Sequence, residues 1–178
     1  MGLLDEKTWL IEPVWHFLLT RSFDILSPAG NRLGSITGGS IDLEVRDAEE
    51  NVIANLERPW QLFRVKVYVT DAGGVEHGSV FQVTPMGRIR FEIRDPAGAV
   101  IGAISPTKAW ATEFDLTDKS GSVLARITRR YRFWRTGSYT VDFDAGSTGA
   151  TRMFALAGVV ALDKAIDGRR SSSAAPVA

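Results

Sequence analysis

Between Arg152 and Asp163 the sequence reads MFALAGVVAL, ten residues with no charge and no strong polar group. Wound as a helix, the segment has no face left for water and has to be buried all round. A bilayer span needs about 20 apolar residues, whereas ten helical residues reach only about 15 Å. The segment therefore reads as a helix inside protein, part of a helical stretch from Thr151 to Asp167. Ala155, Ala157, Gly158 and Ala161 keep it narrow, so backbone can approach it closely. Whatever precedes it in the chain has to form a container.

The preceding chain repeats itself. Phe23 to Ile36, Phe91 to Ile104 and Phe114 to Ile127 share the pattern apolar-x-apolar-x-Asp-x-x-Gly-x-x-apolar-Gly/Ala-x-apolar, with Ser27 replacing Asp in the first. Two looser copies fit the same frame, from Leu43 through Asp47 and Ala54 to Leu56, and from Val67 through Asp71, Gly74 and Gly78 to Val80. Alternating apolar residues make a half-buried strand. Asp opening a turn bonds to nearby backbone, and Gly three residues later takes the left-handed conformation that closes a hairpin. The last two apolar positions lie three apart, on opposite faces of a regular strand. A bulge at the Gly/Ala slot would bring them to one face.

Five hairpins supply ten strands, and Trp15–Thr20 and Ser138–Phe143 could each add another. An open sheet of that size curls or closes. Closed, it is too wide for its own side chains to fill. The expected fold is a mostly β, closed antiparallel barrel of about twelve strands enclosing one apolar C-terminal helix. With 178 residues and 44% hydrophobic content, one core suffices. The expected organisation is an arm over residues 1–20 packed on the barrel, the barrel and helix over 21–168, and a disordered tail over 169–178. Asp167-Gly168 should stop the helix.

Composition excludes several activities. Lys plus Arg and Asp plus Glu number 21 each, so no global field draws the chain to nucleic acid. Without cysteine there is no disulfide, thiolate metal site or cysteine nucleophile. His16 lies among Val14, Trp15 and Phe17, and His77 occupies an apolar slot of Val67 to Val80, the third hairpin in chain order and the weakest copy of the repeat. Neither histidine belongs to a catalytic or metal-binding constellation, so the expectation is no enzyme, no cofactor and no metal. Asp5, Glu6 and Lys7 break any secretory pattern, and Glu6 stands where a myristoylation signal wants Ser or Thr. The expected place is the cytoplasm, with peripheral contact at the inner membrane face and no transmembrane segment.

A barrel of repeated Asp-x-x-Gly hairpins followed by one apolar helix resembles the tubby-like superfamily, in particular its phospholipid scramblase and LURP-one-related branch. The matching residues are Arg58-Pro59, the paired hairpins Phe91–Ile104 and Phe114–Ile127, and Ala155-Leu-Ala-Gly158-Val-Val-Ala-Leu-Asp163. Lys108-Ala-Trp110 is similar to the connection between scramblase hairpins. The resemblance covers about residues 20 to 167. It implies the plugged barrel and, through its phosphoinositide-binding and lipid-linked members, contact with anionic headgroups. It does not extend to calcium-activated lipid scrambling. The Pro-rich extension and palmitoylated cysteines of scramblases have no counterpart here, and the place of their acidic calcium segment reads Trp134 to Val141, without a carboxylate.

Arg126 to Arg135 is the one local charge excess, with five arginines, three aromatics and no acid in ten residues. On a strand in phase with Ile127, Tyr131 and Phe133 turn inward while Arg126, Arg130, Arg132 and Trp134 share the outer face. Guanidinium forks match phosphate oxygens, and Trp suits a headgroup boundary. The candidate site for anionic lipid or phosphate is Arg126, Arg129, Arg130, Arg132, Trp134, Arg135 and Lys108. The blander reading pairs these arginines with Glu92, Glu113 or Asp115 on neighbouring strands. Arg88, Arg90 and Arg94, alternating with Ile89, Phe91 and Ile93, read as the wet face of a strand. A non-enzymatic lipid-contacting module leads. The alternatives are a protein-interaction or structural module with no lipid role, and a nucleic-acid-binding regulator.

Overall fold

The computed structural model describes residues 2–15, 21–61, 64–84, 87–108, 112–132 and 135–173, with the side chains of Trp15, Arg21, residues 131, 132, 135 and 136, and 169–173 outside that description. Twelve strands form one closed barrel in which each strand pairs antiparallel with its neighbours in sequence and the first pairs with the last. In chain order they are β1 (Thr8–Trp15), β2 (Arg21–Leu26), β3 (Arg32–Gly38), β4 (Asp42–Asp47), β5 (Val52–Glu57) and β6 (Lys66–Asp71). There follow β7 (Glu76–Gln82), β8 (Phe91–Arg94), β9 (Val100–Pro106), β10 (Glu113–Asp118), β11 (Val123–Arg132) and β12 (Arg135–Phe143). One helix, α1 (Gly149–Ser173), runs through the middle.

The five repeats are the hairpins β2–β3, β4–β5, β6–β7, β8–β9 and β10–β11. Each has its bulge at the same place. Ile25 pairs with Gly34 and Leu26 with Arg32, which leaves Leu33 as the extra residue. Ile53, His77, Ile101 and Leu124 are the extra residues of the other four. The extra residue itself is the first of the two apolar positions, so Leu33 and Leu124 pack partly buried against the core that Ile36 and Ile127 enter fully, and the bulge lies one residue before the Gly/Ala slot. The small slot is required by the neighbouring strand. A Cβ on Gly78 would run into the carbonyl of Arg94, and one on Gly102 into that of Thr117.

The turns of the repeats follow one plan as well. The N–H of Gly30, Gly74, Gly98 and Gly121 donates to the carbonyl three residues back, at 2.9–3.1 Å, and all four have φ between 82° and 90°. Glu50 takes that place in β4–β5, at φ 65°. The opening aspartate accepts from backbone inside its own turn, as Asp118 does from Ser120 and Ser122 at 2.8 and 2.9 Å. Those bonds hold the carboxyls of Asp47, Asp71 and Asp118 below their ordinary pKa of 3.8. For Asp47 the largest cause is the Asn51 side chain, for Asp71 the Val75 N–H, and for Asp118 the Ser120 hydroxyl.

The helix fills the lumen. Residues 151–163 are all buried, a length of about 20 Å. Ile104 and Ile127 press on Gly158, where a Cβ would lie 2.5 Å from the Ile104 Cδ1. Thr148 Oγ1 accepts from the Thr151 N–H at 3.2 Å and caps the entry. Arg152, the first charge outside the apolar run, lies 4.3 Å from the Phe143 ring centroid and donates to the Glu6 carbonyl. Burial lowers its pKa, opposed by Asp5 and Glu6. Trp9 is wholly buried beside it, edge-on to Phe143 at 4.4 Å, with its indole N–H donating to the Leu3 carbonyl at 3.0 Å.

Two expectations are corrected. Most of the presumed arm is a stave: β1 pairs with β2 along six residues and with β12 from Thr8↔Asp142 to Ile11↔Tyr139. It begins seven residues before Trp15, and the later part of the Trp15–Thr20 segment lies outside the described residues. Pro13 does not break it, because Pro13 sits past the last β1–β12 pair, where a missing N–H is tolerated. The helix also continues through Gly168 to Ser173. Gly168 is not among the glycines with positive φ, so it does not terminate the helix with a left-handed cap.

Candidate anion-binding end of the barrel

Because neighbouring strands are antiparallel, their connections alternate between the two ends of the barrel. The five repeat turns, the chain start and the β12–α1 connection share the end where Arg152 meets Trp9. The connections 39–41, 58–65, 83–90, 107–112 and 133–134 share the other, where Tyr139 donates to the buried Asp163 at 3.1 Å. We term these the turn end and the open end.

Formal charge separates between them. Residues 2–7, 27–31, 47–51, 71–75, 95–99, 118–122 and 144–148 contain nine carboxylates against Lys7 and Lys119. The open-end connections contain Arg58, Arg64, Arg88, Arg90 and Lys108, and the strand ends beside them add Arg21, Lys66, Arg132 and Arg135 against Asp42, Glu57 and Glu113, while Lys164 is exposed on the emerging helix, three residues before Asp167. A chain of zero net charge is thus acidic at one end and basic at the other. The helix runs from the acidic end to the basic one, so its positive N-terminus and negative C-terminus each meet opposite charge.

The sequence-derived site residues fall in different places. Arg126 faces outward at mid-strand and is committed: its Nε donates to Asp115 at 2.8 Å across the β10–β11 pair. That hydrogen bond, then the charge of Asp115, raises the guanidinium pKa. Arg129 does not join the outer ladder. It is in phase with Ile127, only 3% exposed, and paired in register with Tyr139. Gly137 makes room for it, since a Cβ there would lie 2.7 Å from Arg129 Nε. Arg130 faces outward and is exposed.

Arg132 and Arg135 are a register pair, so the expected single strand through Trp134 instead turns back. Their side chains, and Trp134 altogether, lie outside the described residues. The ribbon outruns its neighbours: β10 pairing stops at Thr128 and β1 pairing at Tyr139, leaving 130–132 and 135–138 beyond both ladders. Lys108 is exposed at the same end. The geometry therefore gathers Arg130 and Lys108 at one end and excludes Arg129. The alternation of Arg88 to Arg94 is as expected, with Arg94 bonded to Glu92 at 2.7 Å and lying 4.2 Å from the Phe81 centroid.

The strap 58–65 builds a shaped feature of the open end. Arg58 ties one side down: its N–H donates to the Ile41 carbonyl at 2.7 Å and its Nη2 to the Ser40 carbonyl at 2.6 Å. Burial lowers its pKa, opposed by the charge of Asp163. Gln82 ties the other side, its Oε1 accepting from the Val65 N–H at 3.0 Å. Between them lies a cavity of about 270 Å³ bounded by Ile41, Arg58, Pro59, Trp60, Arg64 and Lys164. Sequence reading passed it over, because its residues come from three separated segments. A signal was there in Arg58-Pro59-Trp60, a tryptophan between cations and outside every repeat.

Among the described residues no group of three or more His, Asp or Glu is placed to hold a metal. His77 meets Asp71 at 3.1 Å at the turn end, and His16 lies outside the described residues. No helix is long and apolar enough to cross a membrane, among the residues described. A closed antiparallel barrel threaded by its own C-terminal helix defines the class.

In that class the chain is similar to a solved structure, the Arabidopsis thaliana protein AT5G01750. The match covers 94% of this chain and 99% of that one at a TM-score of 0.57, with 10% identity, and is a likeness of fold. No family model matches the sequence, and no curated protein matches it.

Proposed function

We propose that the chain is a non-enzymatic binding module of the scramblase and LURP-one-related branch, which meets anionic lipid surfaces end-on with its basic end. The observation that carries this reading is the separation of charge along the barrel axis. An anionic surface attracts the open end and repels the turn end, so the same field binds the barrel and orients it. Arg130 and Lys108 lie at the attracting end, whereas Arg126 is spent on Asp115. This replaces a side-on contact along β11 with a docking end.

The test is cosedimentation with phosphatidylcholine vesicles, with and without phosphatidylserine. Each basic residue near such a surface contributes about 1 kcal/mol, so Arg130→Glu with Lys108→Glu should weaken binding by at least about tenfold. Arg126→Glu should change it little, and binding should fall with salt. Equal binding by the double variant, or a larger loss from Arg126→Glu, would overturn the end-on reading.

A further inference from the structure

The cavity under the 58–65 strap has a composition of its own, distinct from the general charge of the open end. One wall is apolar and needlessly wet: Trp60 is 78% exposed and Ile41 44%. Leaving a tryptophan so exposed forgoes most of the gain from burying about 150–250 Å² of aromatic surface. The same lining carries cations. Arg64 and Lys164 are exposed and, among the described residues, neither has a carboxylate partner. Asp163, next to Lys164 in sequence, is buried, bonded to Tyr139 and set against Arg58. Two cations without a carboxylate partner, lining one cavity with Trp60 and Ile41, form a site of mixed charged and greasy lining. The strap that carries half of it is fixed at Arg58 and Val65.

We infer that this cavity binds one small amphipathic anion, a phosphate monoester held between Arg64 and Lys164 with its apolar substituent against Trp60, Ile41 and Pro59. Arg64 lies 5.7 Å from the Phe81 ring centroid, a contact that leaves its charge unpaired. Two cations without a carboxylate partner select a dianion over a carboxylate: a phosphate monoester carries about −1.5 to −2 charges at pH 7, and a carboxylate would leave one cation unmatched. Arg64 suits it further because a guanidinium fork can take two phosphate oxygens at once. The volume limits the ligand to a headgroup with the first part of its apolar chain, since whole drug-sized ligands need about 300–1,000 Å³. The same chemistry could arrive as a membrane lipid or as a soluble phosphorylated molecule. Binding of one monomeric ligand does not depend on vesicle docking.

The experiment is calorimetric titration of the full chain with dihexanoyl phosphatidic acid kept below its micelle concentration. Parallel titrations use glycerol 3-phosphate, inorganic phosphate, hexanoate and dihexanoyl phosphatidylcholine. Saturable one-to-one binding of the phosphatidic acid is expected, at least tenfold tighter than any of the other four. Arg64→Glu with Lys164→Glu should weaken it at least tenfold and Trp60→Ala at least threefold, with unchanged melting temperature, while Lys119→Glu at the turn end does nothing. If the double variant melts early, Arg64→Gln with Lys164→Gln serves instead, with the same direction expected. Equal affinity for glycerol 3-phosphate would make the ligand a soluble phosphate and overturn the amphipathic assignment. Equal affinity for hexanoate would overturn the phosphate, and undiminished binding by the glutamate and glutamine variants, or no saturable binding, would overturn the site. Vesicle binding could fail while this titration succeeds, or the reverse, so the two readings fall separately.

Discussion

The two ends of this barrel are joined by the same staves and made of different chemistry. At the turn end, five connections use one four-residue plan, opened by Asp or Ser and closed by a residue at positive φ. At the open end the connections differ in length and are anchored individually, as the 58–65 strap is by Ser40 and Gln82. Backbone hydrogen bonds are satisfied locally at the first end and by scattered partners at the second. The lesson is a division of labour: repetition secures one rim so that the other is free to vary, and connecting loops on a rigid scaffold are where binding groups collect.

The contrast can be broken from the middle, where both rims lean on the helix. Leu156→Ala removes a fully buried side chain and should lower stability by about 2–5 kcal/mol in denaturant unfolding, with both ends lost in one transition. If the open end melted first and separately, the helix would not be the shared support.

At the turn-end half of a stave, Gly78→Ala meets the Arg94 carbonyl at φ 129° and should cost about 2–3 kcal/mol by the same measurement. The opposite sign is expected for Glu50→Gly, which relieves a left-handed non-glycine and should stabilise by about 1 kcal/mol, less what its bond to Arg32 returns.

The turn end should also respond more to acid. Asp47, Asp71 and Asp118 have folded pKa values below the unfolded ones, so their contribution is present above about pH 4 and is lost as pH falls through the lower folded values. Replacing all three by Asn should flatten the fall of the urea midpoint between neutral and acid pH. An unchanged slope would show that those turns do not sense the titration. The smallest effect belongs to the open end, where Trp60→Ala should alter stability by no more than about 0.5 kcal/mol.

Much of the architecture was legible because it is periodic. The Asp-x-x-Gly spacing located five hairpins, and the mismatch of phase between Leu33 and Ile36 implied a bulge at the Gly34 slot, which lies one residue earlier, at Leu33. The buried rod between Arg152 and Asp163 was legible from composition alone. What escaped depends on partners distant in sequence. β1 carries Glu12-Pro13 and no repeat, and it becomes a strand because β12 and β2 flank it. Arg129 looks like its neighbours in sequence, and only strand phase turns it inward past Gly137. The Arg58, Arg64 and Lys164 grouping joins two segments that pattern reading treats separately.

The pairing of β1 with β12 has a consequence for how the molecule is made. A ribosome delivers β1 first and β12 near last, so through most of synthesis the growing sheet has an unpaired margin at each side. The rod that fills it emerges later still. Until then a nascent chain can curl without sealing, and its inward aliphatic faces have only one another to cover them. Sealing has to follow release of nearly the whole chain, and crowding of unfinished copies is the hazard this order of assembly carries.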